Sequence, residues 1–409
     1  MESKYSYPKN KIKIVLSEKI DETARITFQE AGYGVEEIPH ALDGDSLMKL
    51  SDSAHVLGVR SRSKITDQFL AKAKRLLCVG CFTVGTDQVE LLPAQRCGIP
   101  VFNAPHSSTR SVAELTVACM ISLSRRLGDQ NRSMHDGTWQ KSAIGSREIR
   151  DKTIGIVGYG HIGQQVGLLA ESLGMNVLFY DVVKKLPLGR SKSVSSLNDL
   201  LSRVDFLSLH VPGTPESEEM IGEKELSIMK KGSYLINHSR GKVVKMVALR
   251  EALLSGQIGG SAIDVFPSEP ESNTAPFESE VRGLPNVILS SHIGGSTEEA
   301  QKNIGIEVAK ALIEFLDSGS TAGAVNFPNI NLPILKNSHR IINIHKNLPG
   351  ALSEVNQVIS EVGANIDAQY LSTASDIGYL IMDINKEVSE EVKERIAALP
   401  KSIKTRMLF

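Results

Sequence analysis

The run from Thr153 to Asp181, TIGIVGYGHIGQQVGLLAESLGMNVLFYD, constrains this chain more than any other stretch. Thr153–Val157 is short, apolar and β-branched, as a strand buried on both faces must be. GYGHIG follows without a gap, setting Gly158, Gly160 and Gly163 in the G-x-G-x-x-G spacing. Gln164–Leu173 reads as a helix with Val166, Leu169, Ala170 and Leu173 on one face, stopped by Gly174. A second strand, Asn176–Tyr180, ends at Asp181. Each glycine has its own reason. The first permits a tight turn, the second lets a pyrophosphate approach the backbone, and the third lets helix and strand touch. The helix N-terminus offers unpaired N–H groups and a partial positive charge to phosphates. Asp181 can accept hydrogen bonds from a ribose diol, and its charge repels a 2′-phosphate, so the pattern points to NAD rather than NADP.

At 409 residues the chain has room for two or three domains with separate cores. Its net charge of −1 provides no overall field for nucleic acid or an anionic membrane. No apolar run approaches the ~20 residues that span a bilayer, and MESKYSYPKNK has no signal-peptide core. Four cysteines make no disulfide framework, and the C-x-x-C pair Cys78 and Cys81 lacks the second pair a zinc site needs. They are expected to be buried thiols with no metal. A cytoplasmic location is the expectation that follows.

Ahead of the glycine turn, strands at Lys11–Leu16, Val35–Ile38, Ala54–Val59 and Leu76–Val79 alternate with helices at Asp21–Ala31 and Asp67–Lys74, an α/β unit of its own. The third strand runs into Arg60-Ser61-Arg62-Ser63. Two arginines on alternate positions at a strand's carboxyl end suit an anion. Gly80 and Gly85 in the next loop let backbone N–H groups face a carboxylate. Ser107–Arg126 reads as one long helix, and Trp139 beside Lys141 as packed core or an interface residue.

Beyond Asp181 the alternation continues through strands at Phe206–Val211, Tyr234–Ile236, Gly260–Asp264 and Val287–Ser290. This order predicts a doubly wound parallel sheet with ligands outside the carboxyl ends of its strands. Ser296 with Glu299 predicts a capping box opening a helix over Thr297–Leu316. NINLPILK reads as a linker. After it the order β-α-β-β-α-β, over about 70 residues, is ferredoxin-like and carries no acid/base cluster, as expected of a binding or regulatory module.

Arg240 in INHSRGK, Glu269 in DVFPSEP and His292 in LSSHIGG stand at the ends of successive strands. Such a set suits hydride transfer at a 2-hydroxy acid. Arginine's fork can clamp a carboxylate and polarise the C2 oxygen. Histidine can take the hydroxyl proton, and glutamate can fix the imidazole's tautomer.

These residues, the GYGHIG turn and the blocks NAPHSSTRSVAEL, NHSRGKVV, SAIDVFPSEP and SSHIGGSTEEAQ resemble the D-2-hydroxyacid dehydrogenase family over nearly the whole chain, and the tail resembles an ACT domain. The resemblance implies a Rossmann-type NAD-binding domain at 108–300, inserted in a flavodoxin-like α/β substrate-binding domain of residues 1–107 and 301–327. A linker at 328–337 and a ferredoxin-like α+β ACT domain at 338–409 complete the implied order. It implies Arg240, Glu269 and His292 as the catalytic set. His161, Ile162, His210, Asp264, Gly294 and Gly295 would join the glycines and Asp181 around the cofactor. Arg60, Ser61, Arg62 and Gly85 would meet substrate, and Lys141 matches a position serving the neighbouring subunit's substrate in a homotetramer. Trp139 matches a residue that docks into the adjacent nucleotide domain.

Within the family these blocks imply oxidation of 3-phosphoglycerate, the opening step of serine biosynthesis. His345, Asn347 and Asn365 fall on positions that bind L-serine as effector across an ACT–ACT dimer interface. HKNLPG, a polar loop opening a helix, suits the carboxylate of a small zwitterion. His238, Lys245, Lys346, Leu348 and Asp87 depart from the family's usual residues. Two alternatives stay open: a dehydrogenase for another 2-hydroxy acid, such as 2-hydroxyglutarate, and a nucleotide-sensing interaction protein on the same scaffold.

Overall fold

The computed structural model describes residues 8–270, 274–333 and 338–408. The chain forms two compact units, Met1–Ser107 with Gln301–Phe409, and Ser108–Ala300. In the first unit β1 (Ile14–Ser17), β2 (Val35–Ile38), β3 (Val56–Val59), β4 (Cys78–Cys81) and β5 (Val101–Phe102) make a parallel sheet in the order β2-β1-β3-β4-β5. Every residue of β1, β3 and β4 is buried, which is why these strands read as unbroken apolar runs. β4 begins at Cys78, two residues beyond the expected start at Leu76. Three residues apart on a strand, the two thiols point to opposite faces. Cys78 packs with Val308 and Leu312, Cys81 with Leu57 and Phe69, so they cannot bridge. Burial pushes both thiols up to about 12.

The second unit holds β6 (Thr153–Val157), β7 (Asn176–Tyr180), β8 (Lys192–Ser193), β9 (Phe206–Leu209), β10 (Ser233–Asn237), β11 (Ile258–Ile263) and β12 (Val287–Leu289). All pair in parallel in the order β8-β7-β6-β9-β10-β11-β12. Strand order reverses at β6, the strand that feeds the glycine turn, so the crevice a ligand would use opens there. The helix expected over 107–126 is present as Thr109–Ser124, and a second helix, Leu127–His135, follows it. Arg126 separates them in the left-handed conformation at φ 51°, its guanidinium held by Asp129 at 2.8 Å. The apolar stripe ends with Leu123, and the polar turn after it has nothing to bury.

A third sheet, within the first unit, is antiparallel: β13 (His339–Lys346), β14 (Ile366–Thr373), β15 (Ile377–Ile384) and β16 (Ser402–Leu408), in the order β14-β15-β13-β16. Helices Ala351–Val362 and Ser389–Ala397 pack on one face, against Ile341, Leu380 and Met382. The other face is buried too. Ile342, Tyr379 and Ile381 join Phe315 and Phe327 in the core of the unit, and the Tyr379 hydroxyl donates to the Gly319 carbonyl at 2.6 Å. Arg340 is bidentate to buried Asp383 (2.8 and 3.0 Å) and also donates to the carbonyls of Ser318 and Pro333.

The first part of the stretch NINLPILK is packed. Ile330 and Leu332, on alternate positions, are buried in that same core, while 334–337 lie outside the described residues. The helix Glu298–Ser318 is opened by Thr297 rather than by a Ser296–Glu299 box: the Thr297 hydroxyl accepts the Ala300 N–H at 3.2 Å. Ser296 spends its own N–H on the Ile293 carbonyl in the preceding turn. No helix among the described residues is long and apolar enough to cross a membrane.

Candidate active site

At the switch point the glycines behave as separate steric devices. Gly158 sits at φ +88°, and a Cβ there would lie 2.3 Å from the His210 carbonyl oxygen. A Cβ on Gly163 would lie 2.2 Å from the Gly158 carbonyl oxygen, whereas Gly160 faces open space. Gly160 is also the N-cap of the helix His161–Ser172, which starts at the turn itself, three residues before the expected Gln164. Exposed His161 and half-buried Ile162 form its first turn, so the N-terminal end of the helix borders the open side of Gly160. At the end of β7 the Asp181 carboxylate accepts the N–H groups of Tyr159 (2.8 Å) and Val183 (2.9 Å), which fixes its position beside the turn. Room where phosphates must approach, a helix N-terminus and an acid at the ribose end together fit NAD.

Three adjacent strands, β10, β11 and β12, deliver the chemistry at the same sheet edge. Beyond β10, the fully buried Asn237 accepts the Ser239 N–H and hydroxyl on Oδ1 and donates to the Arg240 carbonyl at 2.9 Å. This closes the loop that carries Arg240, whose guanidinium donates to the Ser239 carbonyl at 2.8 Å. Gly241 is required next: a Cβ there would lie 1.9 Å from the Phe266 carbonyl carbon. Beyond β11, Glu269 accepts the Phe266 N–H at 3.2 Å. Asp264, 1% exposed, binds the loop after β12 by accepting the Ser290 hydroxyl (2.6 Å), the Ile293 N–H (2.8 Å) and the Gly294 N–H (2.8 Å). That loop carries His292 at φ 55°, a strained backbone for a non-glycine residue, held by its N–H on the Asp264 carbonyl. Gly294 and Gly295 follow, with Gly294 pressed against the Asp264 carboxylate.

His292 Nδ1 lies 3.0 and 2.9 Å from the two Glu269 oxygens. The hydrogen bond to Glu269 raises the imidazole above its ordinary value, partial burial opposing and the carboxylate's charge adding to it. Burial works against the Glu269 carboxylate, but its hydrogen bond to His292, the imidazole's charge, the Phe266 N–H and Arg240 together hold it below the usual range. The pair therefore keeps one proton acceptor, Nε2, available on a ring whose other nitrogen is committed. Sequence reasoning had found Asp264 but missed Asn237. An asparagine ending the apolar run SYLIN is the signal, since a buried amide must have partners.

Two further histidines line this region in neutral form. His210 Nε2 is 2.8 Å from the Ser208 hydroxyl, and burial depresses its pKa to about 3. His238 Nδ1 is 3.0 Å from the Thr116 hydroxyl, which gives its proton to the Val112 carbonyl at 2.8 Å. Nδ1 must therefore be the donor. Burial depresses His238 to about 4, so this departure from the family adds no charge at neutral pH. Lys245 pairs on the surface with Glu223 at 3.1 Å.

In the first unit Arg60 is half-buried and Ser61 and Arg62 are exposed at the carboxyl end of β3. The Gly85 carbonyl accepts the Thr83 hydroxyl at 2.6 Å. In the second unit Lys141 lines a concavity with Arg125, Ser146 and Arg147, near Trp139 and Ile144, 77% and 90% exposed. On the third sheet His345 is buried, its Nδ1 3.0 Å from Asn343 Oδ1, and Asn347 donates to the Ala374 carbonyl at 3.1 Å. Asn365 donates through its backbone to Asn385 Oδ1 at 3.0 Å. His345 pairs in register with Gly378, whereas Ile366, next to Asn365, pairs with Ile384. Six residues of strand, about 20 Å, separate the two ends, so one chain does not bring these three residues together.

Residues 117–294 match the family described as D-isomer specific 2-hydroxyacid dehydrogenase, NAD binding domain. Residues 341–404 match the ACT domain of the acetohydroxyacid synthase small-subunit type. The chain is 50% identical over 409 residues to D-3-phosphoglycerate dehydrogenase of Dictyostelium discoideum, covering all of both chains. It is 48% identical over 410 residues to D-3-phosphoglycerate dehydrogenase of Escherichia coli, again covering all of both. Among solved structures it resembles D-lactate dehydrogenase from Aquifex aeolicus complexed with NAD and lactic acid. There the TM-score is 0.67 at 31% identity, over 77% of this chain and 100% of that one. The glycine turn, the strand-end trio and this end-to-end similarity converge: the chain belongs to the D-isomer specific 2-hydroxyacid dehydrogenases, NAD-dependent oxidoreductases, and carries a C-terminal ACT domain.

Proposed function

We propose that this chain oxidises 3-phospho-D-glycerate to 3-phosphohydroxypyruvate, the first step of serine biosynthesis, under feedback by L-serine at its ACT domain. What carries the reading is the full-length similarity, 50% over all 409 residues, to a protein of that activity's name. The trio alone would serve many 2-hydroxy acids. When bound, the nicotinamide of NAD supplies the hydride acceptor. Arg240 clamps the substrate carboxylate and the C2 oxygen with its planar fork. His292 Nε2 takes the C2 hydroxyl proton as the hydride departs and the carbonyl forms. Glu269 holds Nδ1–H and stabilises the resulting imidazolium. Arg60, with Ser61 and Arg62, takes the phosphate, and Gly85 borders the substrate.

In this reading 108–300 is the cofactor domain, 1–107 with 301–327 the substrate domain and 338–409 the regulatory domain. The protein is a cytoplasmic homotetramer. Exposed Trp139 and Ile144 beside Lys141 support a subunit interface there. The separation of His345 and Asn347 from Asn365 within one chain supports a serine site shared by two chains, in which a twofold pairing of ACT sheets would set one copy's His345 and Asn347 against the other's Asn365.

NADH formation from 3-phosphoglycerate by the purified protein, with and without L-serine, tests both halves. Turnover that serine suppresses is expected. Turnover insensitive to serine removes the effector reading; no turnover, with NADH consumed on 2-oxoglutarate, replaces the substrate. For the cofactor, Asp181→Ala deletes the ribose acceptor. Affinity for NAD, followed by fluorescence titration, then falls about 10-fold, and the gap to NADP narrows. An unchanged preference between the two refutes the assignment.

A further inference from the structure

The backbone of the arginine loop at the end of β3 is held by a side chain from the end of β1. β1 ends at Ser17, and the next two residues, Glu18 (φ 65°) and Lys19 (φ 51°), are both non-glycine residues in the left-handed region. That backbone is disfavoured for L side chains and persists only where contacts over-determine it. Here the Glu18 N–H is shared by the Ile38 and His40 carbonyls, at 3.0 and 3.3 Å. The turn aims the Glu18 side chain at the carboxyl end of β3, which pairs directly with β1. Glu18 Oε1 accepts the N–H groups of Arg60 (3.2 Å) and Ser63 (2.9 Å), and Oε2 accepts that of Arg62 (3.0 Å). Fully buried Ser63 ties the far end of the loop through its hydroxyl, which accepts the Leu42 N–H at 2.9 Å.

Three N–H groups from four consecutive residues converging on one point form a backbone nest, whose ordinary guest is an external anion. In this chain the guest is its own carboxylate. We propose that Glu18 is a positioning residue for substrate: by filling the nest it fixes the loop and leaves recognition of the substrate's oxyanion to the Arg60, Ser61 and Arg62 side chains. Fixing the loop lowers the ordering cost of engaging the arginines. The carboxylate's charge, by contrast, opposes a nearby anion. The two effects have opposite signs, so experiment can separate them.

The inference rests on the reading that this loop receives the phosphate of 3-phosphoglycerate. Steady-state kinetics of the full-length protein at fixed ionic strength and saturating NAD test it with Glu18→Gln and Glu18→Ala. Glutamine keeps the length but replaces one acceptor oxygen with an NH₂ group that cannot accept. In both variants the KM for 3-phosphoglycerate rises about 10-fold or more, while kcat stays within a few-fold and the KM for NAD does not move. A KM that is unchanged or lower in variants melting near the wild-type temperature overturns the proposal, a lower value meaning that Glu18 acts only as a repelling charge. If kcat and both KM values deteriorate together as melting temperature drops, Glu18 is merely structural and the proposal also falls. Wild-type protein that fails to turn over 3-phosphoglycerate would instead sink the substrate assignment, a result the variants are not needed to obtain.

Discussion

Replacing His292 by alanine lowers turnover by about 10²–10⁴-fold, the range lost when a positioned acid/base is removed, while NAD binding measured by titration stays near the wild-type value. Among the described residues the hydrogen-bond partner of its side chain is Glu269, on Nδ1. The pH profile gives a sharper check. To take a proton His292 must be neutral, and its hydrogen bond to Glu269 sets its pKa above the ordinary histidine value. The oxidation rate therefore climbs with pH through that raised pKa and levels off above it. Glu269→Gln keeps a hydrogen-bonding group but removes the charge, so the imidazole loses its proton more readily and the acid limb moves to lower pH. At the same time kcat falls, because the imidazolium formed in the reaction has lost its counter-charge. A limb that stays put in Glu269→Gln would show that another group controls it, and neither His238 nor His210 can be that group while burial keeps both neutral.

Arg240→Lys conserves charge and still reduces turnover by about 10²–10³-fold, the cost of losing a donor aimed at a developing oxyanion. The wild-type guanidinium is a planar fork of five donors, one nitrogen of which is steadied on the Ser239 carbonyl. A lysine ammonium is a point charge that cannot engage both this carbonyl and a substrate carboxylate in a fixed plane. The KM for the 2-hydroxy acid rises with the loss of the bidentate carboxylate clamp, whereas the KM for NAD stays constant. Substrate KM and kcat for the two proteins, measured at one ionic strength, decide the matter. A lysine variant with wild-type values would mean that Arg240 supplies only charge.

What the sequence determined by itself was whatever is enforced over a few neighbouring residues. The glycine turn is the plainest case: its spacing is local, and Gly163 meets the carbonyl of Gly158 only five positions back, although Gly158 itself is pressed by the distant His210 carbonyl. Strand and helix order was legible for the same reason, since apolar runs and stripes need no distant partner to be read. Strand-end placement put Arg240, Glu269 and His292 forward as candidates, and the family resemblance joined them into one set. Only the tertiary structure decided how polar groups are satisfied, because their partners lie far along the chain. Glu18 meets its nest across 42 to 45 positions, and His292 meets Glu269 across 23. The same holds for burial that depends on a whole face. NINLPILK looked like a spacer, yet Ile330 and Leu332 fill a core completed by the third sheet. The cap at Thr297 falls between these cases: the local signal was present, but Ser296 one position away could have served equally well until packing chose between them.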